Sequence, residues 1–173
     1  SSTMALRGRN AAELLDGERT SDFMGFVGTI VQVAKEYPNA KIYIDKVGIG
    51  KGPYDRLKEI DEVADRVVGV MAGEKADNPD EFFNKRAEMY WRMREWLQTA
   101  KLVGEEWIDL LDIKYKVQSD KKIKIKSKIE MMQDGIQSPD VADGLSLTFY
   151  ESDTIETPSV KVHKPHYSGF NRR

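Results

Sequence analysis

The 173-residue chain sets 27 Lys and Arg against 29 Asp and Glu, a formal net charge of −2, and it contains no cysteine and two histidines, His163 and His166. Disulfide frameworks, zinc fingers and thiol nucleophiles are thereby excluded, and His-based catalysis is disfavoured. The length suits one domain with a tail, able to bury roughly 70% of its unfolded surface, and neither a membrane-length apolar run nor a signal-peptide pattern is present.

In chain order, residues 1–7 read as a short strand, Gly8-Arg9-Asn10 as a turn and residues 11–15 as the returning strand. Thr20 or Ser21 can cap a helix with apolar positions Phe23, Phe26, Val27, Ile30, Val31 and Ala34, ending near Tyr37-Pro38. Residues 41–45 form the next strand candidate, followed by a loop of Gly48, Gly50 and Gly52, a short helix from Pro53 to Leu57 and a strand over 66–71. Asn78-Pro79-Asp80-Glu81 has the composition of a helix start, predicting a helix to about Thr99 that buries Phe83, Ala87, Tyr90, Trp91 and Leu97. A shorter helix is predicted over 105–111. Two lysine-rich strands follow, over 113–117 and 122–128. Ser138-Pro139-Asp140 then starts a helix reaching about Tyr150. Residues 151–173 read as a tail, flexible or partner-docking, behind a domain of residues 1–150.

Strands alternating with helices indicate an α/β fold around a mixed β-sheet. Two antiparallel strands ahead of the first helix suit an RNase H-like arrangement better than a doubly wound nucleotide fold. The glycines also miss both nucleotide fingerprints: Lys51 precedes Gly52 rather than Ser or Thr, and the spacing is G-x-G-x-G.

Three signals carry chemistry. Asp45 ends a strand, where reacting groups of α/β sheets gather, although an Asp before glycines is also what a turn uses. Asp140 sits where its charge suits the helix dipole, whereas Asp143 lies among Ala142, Gly144, Leu145 and Leu147, where a carboxylate needs a partner. Two carboxylates 4 Å apart repel by about 4 kcal/mol at an effective dielectric of 20, a cost that Mg²⁺ or Mn²⁺ removes. Two such ions hydrolyse phosphodiesters without His or Cys. Finally, Lys122, Lys124, Lys126 and Lys128 alternate along one strand, and Lys114 and Lys116 along the other. A Gln118-Ser119-Asp120 loop would set Lys116 opposite Lys122 and align the lysine faces. Nucleic-acid phosphate would suit such a face; edge protection is the alternative.

Taken together, Ile42-Tyr43-Ile44-Asp45-Lys46-Val47-Gly48-Ile49-Gly50, Phe83-Asn84-Lys85-Arg86-Ala87-Glu88-Met89-Tyr90-Trp91, Lys126-Ser127-Lys128 and Ser138-Pro139-Asp140-Val141-Ala142-Asp143 resemble the C-terminal nuclease domain of the terminase large subunit of tailed bacteriophages or prophages. The resemblance implies an RNase H-like nuclease that cuts concatemeric double-stranded DNA during packaging, in the cytoplasm of the phage-infected or prophage-carrying bacterial cell. It implies a two-metal site with Asp45 and Asp143 as ligands, Asp140 as an extra ligand or a group supporting the ligands, and Lys128 at the scissile phosphate. Its partners would be an N-terminal ATPase domain of the same subunit, the portal protein and the small terminase subunit. Family members carry a further catalytic Asp on the first strand, just ahead of the segment that Thr3-Met4-Ala5-Leu6-Arg7-Gly8 resembles. No Asp precedes Asp16 here, so a truncated first strand, weakened metal binding and weak or absent cutting are expected. The alternatives are another RNase H-like nuclease, such as a Holliday-junction resolvase, and a non-catalytic DNA- or portal-docking module.

Overall fold

In a computed structural model, which describes residues 3–15, 23–136 and 139–152, short apolar strands alternate with striped helices in the expected mixed α/β order. Strand β1 (Met4–Arg7) turns through the Gly8 amide, which donates to the Ala11 carbonyl at 2.8 Å, into antiparallel β2 (Ala11–Leu15). Helix α1 (Phe23–Glu36) buries Val27, Ile30 and Ala34, one stripe of its surface. The Arg66 guanidinium ties off its last turn by donating to the carbonyls of Ala34, Tyr37 and Ala40. Strand β3 (Ile42–Asp45) runs parallel to β4 (Val67–Val70), with α2 (Lys51–Lys58) and α3 (Asp61–Ala64) between them. The caps expected at Thr20, Ser21 and Ser138, and the tail from 153 on, lie outside the described residues.

Helix α4 (Lys85–Leu97) departs from expectation by starting seven residues after Asn78. The Asn78 carbonyl takes the Glu81 and Phe82 amides in a single turn, and the chain then extends to pair with Ile123. Asn84, in an extended conformation, is the cap, accepting from the Ala87 amide at 3.0 Å. The extended stretch puts Phe82 in the core at 6% exposure and leaves Phe83, expected to be buried, 46% exposed.

Strand β5 (Lys101–Val103), absent from the sequence reading, pairs in parallel with β2 and makes the β1-β2-β5 sheet mixed. The 105–111 helix is a 3₁₀ turn over Glu106–Asp112. Strands β6 (Tyr115–Val117) and β7 (Ile123–Ile125) form a hairpin in which Lys116 faces Lys124, not Lys122. Its loop is therefore 118–122, two residues longer than expected, and Lys121 takes a left-handed φ of 66° there. The lysines remain on one face, because a shift of two residues preserves the alternation.

The second lysine strand stops at Ile125. Ser127 and Glu130 form a capping box that opens helix α5 (Lys128–Gln133), which removes Lys128 from the strand. Helix α6 (Asp140–Leu147) follows. The described strands fall into three sheets, β1-β2-β5, β3-β4 and β6-β7, rather than one. Thr3 to Leu6 and Lys41 to Asp45 face each other across a cavity of about 260 Å³ that α1 and α6 also line. The larger core joins α4, α5 and α6 through Ala87, Met89, Met93, Met131, Leu145 and Phe149. No helix among the described residues is long and apolar enough to cross a membrane.

Candidate active site

The α6 N-terminus is held from a distance. Asp109, in the 3₁₀ turn over Glu106–Asp112, accepts from the Val141 amide at 2.9 Å and from the Ala142 amide at 3.4 Å through Oδ2. It therefore caps the helix that carries both Asp140 and Asp143. Its Oδ1 is buried without a hydrogen-bond partner among the described residues. Burial pushes the Asp109 carboxyl above its ordinary value, reinforced by the charges of Asp143 and Asp140 and opposed by the two amides.

Asp143 occupies the first turn of α6, its side chain 26% exposed. Oδ1 accepts from the Tyr90 hydroxyl at 2.5 Å and from Arg86 Nη2 at 3.2 Å, while Oδ2 meets Lys128 Nζ at 2.9 Å. Arg86 and Tyr90 lie one turn apart on α4, so both reach the same carboxylate. Burial alone would raise the Asp143 carboxyl. The hydrogen bonds from Tyr90 and Lys128, with the charges of Arg86 and Lys128, hold it below its ordinary value instead. Burial drives the Tyr90 hydroxyl well above its ordinary value, and the Asp143 charge adds to that. Partial burial works against the Lys128 ammonium, but Asp143 and Asp140 outweigh it and raise Lys128. Asp140 Oδ1 lies 3.7 Å from the same ammonium.

Below this cluster, α4 is anchored by buried charge. Glu88 and Lys85 are 2% and 3% exposed and 3.2 Å apart. Lys85 also pairs with Asp77 at 2.6 Å, and Arg92 reaches Asp77 at 2.9 Å and Glu88 at 3.3 Å. Glu88 additionally accepts from the Asp77 and Asn78 amides, locking the preceding loop to the helix. Because the amides of Lys85 and Arg86 donate to the carbonyls of Glu74 and Ala72, the loop fixes where Arg86 begins.

Asp45 has a different setting. It is exposed at the end of β3, and its Oδ1 accepts from the Val47 amide at 2.9 Å, the turn expected of an Asp before glycines. Its Oδ2 has no partner among the described residues. Gly48 adopts φ 63°, and the loop folds back so closely that a Cβ at Gly50 would stand 1.9 Å from the Asp45 carbonyl oxygen. Asp45 lines the cavity together with Gly144 and Leu147 of α6 and the Thr148 that follows it, so the end of β3 faces that helix.

The structure therefore joins Asp143, Asp140 and Lys128 in one cluster, and among the described residues no hydrogen bond or ion pair ties Asp45 to it. Among the described residues no group of three or more acidic or histidine side chains is placed to hold a metal. Of the hairpin lysines, Lys116 pairs with Glu130, Lys126 with Asp134 at 2.7 Å, and Lys124 lies 4.3 Å from the Phe83 ring centre. The Lys116 partner holds the Glu130 carboxyl down to about 2. Lys114 and Lys122 have no ion-pair partner among the described residues. Sequence reasoning missed Arg86, Tyr90 and Asp109 as site residues. The spacing of Arg86 and Tyr90 was a usable signal; Asp109 had none.

No family model matches the chain, and no curated protein matches its sequence. Solved structures do match its fold. The nuclease domain of the large terminase subunit gp2 of bacterial virus Sf6 superposes with a TM-score of 0.66 at 20% identity, covering 85% of this chain and 80% of that one. A mutant of that domain with manganese gives 0.63 at 18% identity, covering 85% and 81%. Another with calcium gives 0.66 at 19%, covering 85% and 80%. The chain thus has the RNase H-like fold of terminase nuclease domains.

Proposed function

We propose that this chain is the nuclease domain of a DNA-packaging terminase large subunit and hydrolyses phosphodiesters of double-stranded DNA with the help of divalent metal. The observation that carries the reading is Asp143, a carboxylate held on three sides at the N-terminus of α6, within a fold shared with terminase nuclease domains. The donor set fits a hard cation in kind: Asp45, Asp143 and Asp140 offer oxygen, and among the described residues no softer ligand lies beside them. Mg²⁺ commonly binds through one or two carboxylates and completes its shell with water and substrate phosphate, so a cluster of three acids is not required. Asp45 and Asp143 would hold the metal, with Asp140 as an additional ligand. When bound, Mg²⁺ or Mn²⁺ supplies an acidified water and stabilises the leaving oxygen.

The chain's own residues have definable parts. Lys128, 53% exposed and held cationic by two aspartates, can release Asp143 and meet a DNA phosphate without burying its charge. Arg86 and Tyr90 keep Asp143 ionised and oriented. Lys114 and Lys122, without an ion-pair partner among the described residues, offer charge to the DNA backbone, whereas Lys116, Lys124 and Lys126 would first have to leave internal partners. In a virus the natural partners of such a domain are an ATPase domain of the same subunit, the portal and the small terminase subunit. The setting would be the bacterial cytoplasm.

Nicking of supercoiled plasmid in Mn²⁺ tests the reading. Nicking is expected in Mn²⁺ and not in its absence. It should disappear in both Asp45→Asn and Asp143→Asn. Nicking that survives both substitutions would remove these residues from the site. Replacing Lys114 and Lys122 by Ala should weaken DNA binding and flatten its salt dependence by about two counterions.

A further inference from the structure

Asp143 commits its two oxygens to different neighbours. Oδ1 is taken from within the fold, by the Tyr90 hydroxyl at 2.5 Å and Arg86 Nη2 at 3.2 Å. Oδ2 has Lys128, whose side chain is 53% exposed. Tyr90 is itself 3% exposed. The Arg86 guanidinium lies 4.9 Å from the centre of the Tyr90 ring and is fixed on its other side by the Lys126 carbonyl at 3.0 Å. Tyr90 cannot withdraw without opening the core, whereas Lys128 can move away through solvent.

We infer that Tyr90 is a positioning residue whose hydroxyl pins Oδ1, so that Asp143 presents Oδ2 alone, in one orientation, to a divalent cation. The inference rests on the metal-nuclease reading above. A carboxylate held at one oxygen keeps the other aimed, while an unpinned one rotates and alternates between one-oxygen and two-oxygen binding. Losing such a supporting hydrogen bond typically lowers metal affinity roughly ten- to hundredfold. Tyr90 isolates this effect better than Arg86. Removing a neutral hydroxyl leaves the charge at the site unchanged, whereas removing a guanidinium alters the field the cation meets.

The test is calorimetric titration of the full chain with Mn²⁺ alone, in the wild type, Tyr90→Phe and Asp143→Asn, with a thermal melt of each. Asp143→Asn should lose the binding event. Tyr90→Phe should keep a cooperative melt and bind Mn²⁺ roughly ten- to hundredfold more weakly. Equal Mn²⁺ affinity in Tyr90→Phe and wild type overturns the inference and leaves the metal reading standing. Wild type and Asp143→Asn that take up Mn²⁺ equally, or not at all, overturn both. A second measurement needs no variant: the carboxylate stretches of the Mn²⁺-loaded wild type should show one-oxygen ligation at Asp143. A two-oxygen pattern there overturns the inference.

Discussion

Asp143 and Asp45 are the same residue type assigned to the same chemistry, yet the fold treats them in opposite ways. Asp143 is three-quarters buried, hydrogen-bonded by Tyr90 and Arg86, and paired with Lys128. Asp45 stands exposed at a strand end with one oxygen on its own turn and the other without a partner among the described residues. One half of the candidate site is thus built by the protein, and the other half waits for what it binds. A site divided this way has its precision on α4 and α6 and its adaptability on β3. Structural damage and loss of ligand binding should therefore separate by residue.

The largest expected effect lies beneath the built half. Glu88→Ala leaves the buried Lys85 ammonium with Asp77 as its one remaining acidic partner among the described residues, strips Arg92 of a partner and frees the loop that sets Arg86. A loss of about 3–5 kcal/mol is expected by urea unfolding, the range for breaking a buried ion pair. Next comes the direct comparison. Asp143→Ala should lose about 2 kcal/mol, less than a fully buried pair because Arg86 and Lys128 keep access to water. Asp45→Ala should stay within about 0.5 kcal/mol, as exposed substitutions do. Equal losses in the two variants would erase the distinction.

The smallest effect is a pH dependence. The folded-state value of Asp143 lies below 3.8, so its stabilisation is complete above about pH 4 and is lost as the pH falls through the depressed value. The melting-temperature advantage of wild type over Asp143→Asn should accordingly shrink on acidification below pH 4. A wild-type advantage that acidification below pH 4 leaves undiminished would mean that the ionised carboxylate is not what stabilises the site.

Much of this was legible before any coordinates, and the failures share a cause. Helix α1 and the strand pair β3 and β4 follow from local periodicity, because each buries one face against its sequence neighbours. The Asn78-Pro79 signal was sound as chemistry, but pairing of residues 81–83 with Ile123 outcompeted a longer helix. At Lys128 two local patterns conflicted. Lysine alternation argued for strand, and the Ser127–Glu130 capping box, equally visible, prevailed. The Asp109 cap could not be read at all, since its partner amide is 32 residues away and nothing in either segment encodes the meeting. Residue types thus announce a carboxylate site, while its supporting contacts come from tertiary structure.

The close approach of Gly50 to the Asp45 carbonyl oxygen has an evolutionary consequence. A half-exposed loop position becomes as intolerant of substitution as a core one, and for a backbone reason rather than a packing one. Any descendant sequence that replaces this glycine must reroute the loop, and with it the direction in which the strand-end carboxylate points. The two positions are therefore bound to change together or not at all, so sequence drift around β3 should leave the pair as a fixed mark while the hairpin lysines wander.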